Sequence, residues 1–176
     1  PERPKAILVI SGHWEAPAFT AGSAARPDLI YDYYGFPEHT YQLRFEAPGA
    51  PELAERVRAL LAGAGLPAAR DEARGWDHGV FVPLKVALPD ADIPVVQLSL
   101  QEGLDPGLHL AAGRALAPLR DEGVLILGSG MSWHNMRGFS PAFTERSRAF
   151  DAWLTQAVAD TSALARWEEA PYARAA

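Results

Sequence analysis

Lys5-Ala-Ile-Leu-Val-Ile-Ser-Gly-His-Trp-Glu15 is the stretch on which the fold turns. Ile7 to Ile10 is an unbroken aliphatic run that changes abruptly to Ser11, Gly12 and His13. A run without polar alternation reads as a strand covered on both faces, as in a parallel sheet. Ligands of open α/β sheets sit beyond the carboxyl ends of such strands, which makes His13 a candidate site residue. The pattern recurs at Gly123-Val-Leu-Ile-Leu-Gly-Ser-Gly130, followed by Met131-Ser-Trp-His-Asn135. Two buried strands are thus expected to deliver a histidine each, His13 and His134, at their exits. Imidazole nitrogen is a good ligand for zinc or ferrous iron, and the two rings can share an ion only if their strands are close in the sheet.

Working outward, Leu53, Val57, Leu60 and Leu61 fall at helical spacing. Asp77 is placed to cap a helix running through Val80 to Leu88, in which Pro83 is tolerated only near the first turn. Pro94 to Leu100 reads as another strand. Asp105-Pro106 starts a helix with Leu108, Ala112, Leu116 and Leu119 facing inward. A long helical pattern from Phe143 to Ala165 turns Phe150, Trp153, Leu154 and Val158 inward. Ile30 to Tyr41 has neither period and is broken by Gly35 and Pro37, so it reads as an aromatic loop, either lining a pocket or packed over the core. Strand–helix alternation implies an α/β fold: a single three-layer domain over residues 1–176, its central, mostly parallel sheet flanked by helices.

The 176 residues carry 22 acidic and 16 basic side chains, a net charge of −6, with no basic run. That argues against a nucleic-acid partner. No apolar run approaches the ~20 residues of a membrane span. The sequence has no cysteine, which removes disulfides, thiolate metal sites and cysteine nucleophiles and suits a cytoplasmic protein.

Among the five histidines, His109 and His39 read as packing or solvated residues. His78 lies between Asp77 and Gly79 at a turn into a helix, where a neutral imidazole can take a proton from a substrate hydroxyl. Gly128-Ser-Gly130 is neither a nucleophile elbow nor a phosphate cradle, and no H-E-x-x-H zinc pattern is present.

Several stretches resemble the class III extradiol ring-cleaving dioxygenases, in particular their 4,5-DOPA dioxygenase-like branch. They are Arg3 to Glu15, Tyr34-Gly-Phe-Pro37, Ala47-Pro-Gly-Ala-Pro-Glu-Leu-Ala54, Gly75-Trp-Asp-His-Gly79, Pro89 to Ser99 and Ser129-Gly-Met-Ser-Trp-His-Asn135. They keep the family's order across nearly the whole chain. The resemblance implies a mononuclear metal at the strand ends, Fe(II) in catalysis with Zn(II) often found in purified members. It makes His13 a metal ligand and His134 a ligand or the acid/base histidine. His78 matches a histidine that contacts substrate. Further ligand segments are expected before Pro1 and after Ala176. The implied reaction opens a small catechol-type aromatic diol with O2. A zinc-dependent hydrolase and a non-catalytic binding relative are the alternatives on the same fold.

Overall fold

The computed structural model describes residues 3–173. Its contacts gather into two units, the first comprising the chain up to Leu104 together with Ala111–Gly130, the second Asp105–Leu110 together with the chain from Met131.

In the first unit, strands β1 (Ala6–Ala16), β2 (Phe19–Gly22), β3 (Ala68–Asp71), β4 (Val95–Gln101) and β5 (Val124–Ser129) form one sheet in the order β3-β2-β4-β1-β5. The β1–β4, β1–β5 and β2–β3 pairs are parallel and β2–β4 is antiparallel, so the expected mostly parallel sheet is present. Helix α1 (Pro51–Gly63) packs on β2 and β3, and α2 (His78–Ala87) on β1. Side chains alternate across a strand. Ile7, Val9 and Val95 therefore pack with Phe45, Trp76 and the inward residues Val80, Phe81 and Leu84 of α2. Leu8, Val96 and Leu98 point to the opposite face and are buried as well. Full burial of each such side chain contributes roughly 1.5–3 kcal/mol.

Two expectations about the strands change. β1 continues well beyond its aliphatic run: it pairs with β5 from Ala6↔Val124 to Ser11↔Ser129, and its register with β4 shifts between Ile10 and Glu15. His13 sits inside that irregularity rather than past the strand end. β5 is an edge strand, with β1 as its neighbour, and Leu125 is 44% exposed. The second apolar run is therefore not covered on both faces.

The start of α2 is fastened to three strands. Asp77 is 0% exposed. Its Oδ1 accepts from the Gly79 N–H (3.0 Å) and the Ser11 hydroxyl (2.7 Å), and its Oδ2 accepts from the Gln97 amide and from Arg74 (3.3 Å). Pro83 is the sixth residue of α2, deeper than expected. Lacking an N–H, it leaves the Gly79 carbonyl without its helical donor. Ser129, the last residue of β5, donates its hydroxyl to that carbonyl instead.

Helix α3 (Pro106–Leu116) begins as expected, with Asp105 accepting from the Leu108 N–H (2.8 Å). In the second unit the long helical pattern resolves into α4 (Thr144–Ala157) and the short α5 (Thr161–Leu164). Phe150, Ala170 and Ala173 form a small core there with Trp133, Trp153, Leu154 and Trp167. Val158, expected inward, falls past the end of α4 and is 62% exposed.

Asp77→Ala leaves a partly buried guanidinium and a buried amide and hydroxyl without their acceptor, and is expected to lower the unfolding free energy by about 3–5 kcal/mol in urea titration. Ser129→Ala orphans a single carbonyl and is expected to cost about 1–3 kcal/mol in the same measurement.

Candidate active site at the start of helix α2

Gly79 allows the first turn of α2 to lie on the β1 irregularity. A Cβ at this position would meet Ser11 Oγ at 2.4 Å and His13 Cδ2 at 3.1 Å. With no side chain in the way, the rings of His13 and His78 approach to 4.1 Å between centroids, inclined at 47°. The two histidines, 65 residues apart by their numbers, thus meet at one place.

A third residue joins them from the aromatic loop. Ile30 N–H donates to Trp76 O (2.8 Å) and Trp76 N–H to Asp28 O (2.8 Å), zipping this loop to the segment that leads into α2. Gly75 makes that approach feasible, because a Cβ there would stand 2.4 Å from the Asp28 carbonyl oxygen. Tyr31 and Tyr33 then donate their hydroxyls to the Leu43 and Thr40 carbonyls, each at 2.6 Å. Between them, Asp32 turns to His78. Its Oδ1 accepts from the His78 backbone N–H at 2.9 Å and lies 2.8 Å from His78 Nδ1. Partial burial works against the Asp32 carboxylate, yet the hydrogen bonds from His78 outweigh it and hold the carboxyl below its usual value. Tyr33 also presents a T-shaped contact to the His78 ring, 5.8 Å between centroids.

His13, Asp32 and His78 each offer a ligand atom, and these atoms all lie within 4.8 Å of one another. An imidazole is a suitable donor for zinc or for non-haem ferrous iron, so His13 fits the metal that the resemblance implies, with His78 and Asp32 beside it. The aromatic loop also lines a groove of about 1310 Å³, bordered by Arg26, Asp28, Tyr31, Tyr41, Arg44 and Phe45. None of the three clustered residues is among those lining it.

Sequence reasoning reached His13 and His78 but missed Asp32. The available signal was a lone carboxylate among Tyr31, Tyr33 and Tyr34. His134 belongs to the second unit, in an irregular segment beyond the end of β5 rather than at the strand exit itself. Among the described residues, no helix is long and apolar enough to cross a membrane.

Known proteins are similar to this chain in sequence and in fold. The 4,5-DOPA dioxygenase extradiol of Beta vulgaris is 48% identical over 165 residues, covering 92% of this chain and 62% of the relative. The dioxygenase tasH of Hapsidospora irregularis is 51% identical over 137 residues, covering 77% of this chain and 42% of the relative. A crystal structure of the uncharacterised protein JW3007 from Escherichia coli K12 superposes with a TM-score of 0.69 at 36% identity, over 88% of this chain and 61% of that one. The chain thus spans between two-fifths and two-thirds of the length of these proteins. A family model described as the catalytic LigB subunit of aromatic ring-opening dioxygenase matches residues 1–176, and the chain belongs to that family.

Proposed function

We propose that the protein is a non-haem iron-dependent extradiol dioxygenase that opens a small catechol-type aromatic diol with O2. The observation that carries this reading is the meeting of His13, His78 and Asp32 at one point of a chain that belongs to the ring-opening family. The names of the relatives from Beta vulgaris and Portulaca grandiflora support DOPA as one diol to test. Family membership favours this reading over the zinc hydrolase and the non-catalytic binding relative.

Each residue has a defined task. His13 is a metal ligand, held where β1 breaks register beside the first turn of α2. His134 serves as a further ligand or as an acid/base group, a role that rests on the sequence resemblance. His78 accepts the proton of a diol hydroxyl, for which a neutral imidazole near the reacting oxygen is chemically suited. When bound, ferrous iron supplies the chemistry by which dioxygen adds beside the diol and the ring opens to a semialdehyde. Zinc fits the same donors but has no redox chemistry.

The test uses full-length protein purified anaerobically and loaded with ferrous iron. Oxygen uptake with a catechol panel that includes DOPA, together with a yellow semialdehyde product, is expected; no uptake with any catechol overturns the reading. His13→Ala is expected to lose both metal, by elemental analysis, and turnover. His78→Ala is expected to keep its metal while turnover falls about 10²–10⁴-fold; unchanged turnover removes His78 from the mechanism.

A further inference from the structure

We propose that Asp32 is a positioning residue: it fixes the tautomer and orientation of His78 and is not itself a metal ligand. The proposal rests on the dioxygenase reading for its effect on turnover, but not for its structural content. Neutral histidine exists as two tautomers, and the nitrogen that carries the proton is set by the acceptor placed beside it. Asp32 Oδ1 lies 2.8 Å from His78 Nδ1, so that nitrogen carries the proton and donates it, leaving Nε2 as the ring's lone-pair atom. The same oxygen accepts the His78 backbone N–H at 2.9 Å. One acceptor thus locks both the main chain and the ring of this residue, removing freedom about the bonds that aim Nε2.

The carboxylate is itself braced. On either side of Asp32 a tyrosine hydroxyl is tied to a loop carbonyl, and two positions before it the Ile30 N–H is tied to Trp76. Ring contacts from Tyr31 and Tyr33 to Phe81 hold the segment against α2. Oδ1 already receives two N–H groups, which take up its two lone-pair directions, and coordination through that oxygen would cost it those bonds. Orientation of His78 therefore accounts for the contacts of Oδ1, whereas ligation does not. Carboxylates that accept from the ring of a functional histidine commonly act in this way.

Asparagine and alanine at position 32 separate the two roles. Asparagine keeps a side-chain oxygen that can accept both N–H groups but is a far weaker metal donor, and alanine keeps neither property. In the full-length protein without metal, long-range proton–nitrogen NMR of the histidine rings, well above the ordinary imidazole value of about 6.5, is expected to show His78 as the Nδ1–H tautomer. Asp32→Asn is expected to retain that signature, and Asp32→Ala to shift His78 toward Nε2–H. Zinc affinity, measured by chelator competition, is expected to stay within about threefold in both variants, against a drop of tenfold or more for His13→Ala. With the iron-loaded enzyme, Asp32→Ala is expected to lower kcat about 10–100-fold with KM little moved, and asparagine to restore most of the loss. An unchanged tautomer in Asp32→Ala, or a tenfold loss of zinc affinity in Asp32→Asn, overturns the proposal. Should the wild-type enzyme oxidise no catechol, the tautomer and zinc measurements still decide the role of Asp32, so this proposal and the dioxygenase reading fail separately.

Discussion

A single buried carboxylate sets the position of nearly everything else in the candidate site. Asp77 has no exposed surface, and an ionised carboxylate in such surroundings persists only when its oxygens are matched by donors. The matching donors come from β1 (Ser11), from β4 (Gln97), from the helix it caps (Gly79) and from the loop before it (Arg74). Arg74 in turn stacks over Trp14 at 4.5 Å, in the stretch of β1 that also contains His13. Four pieces of chain are thereby brought into fixed relation around one residue, and the two histidines beside it inherit that relation.

The site uses two close backbone approaches as well as this charge. Gly79 lets α2 rest on the irregular part of β1, and Gly75 lets the aromatic loop rest on the segment before α2. The first contact joins His78 to His13, and the second brings Asp32 to His78. Neither contact relies on an ion pair exposed to solvent, whose contribution would be small and salt-dependent. The arrangement is one of packing and hydrogen bonding, which suits a site whose reacting groups must be held in place before substrate arrives.

Much of this was legible from the residues in order. The aliphatic runs marked β1 and β5, helical spacing marked α1, and Asp77 before His78 announced the cap of α2. What stayed hidden depended on tertiary context. The break in β1 that places His13 within the strand depends on pairing with β4, which the letters of β1 do not encode. Pro83 looked admissible only near the first turn, because the hydroxyl that makes it admissible belongs to Ser129, 46 positions later. Leu125 looked like core because periodicity cannot tell a central strand from one at the rim. Asp32 escaped notice because a carboxylate in a loop acquires meaning only when the chain folds it against a partner.

The missing amide of residue 83 carries one more consequence. Its rung is absent from the α2 ladder, and the opening turn is joined to the sheet through side chains of β1, β4 and β5. Mechanically, that turn belongs to the sheet more than to the rest of its own helix. A slip of β5 against β1 would pull on the Gly79 carbonyl, one residue from the imidazole of His78.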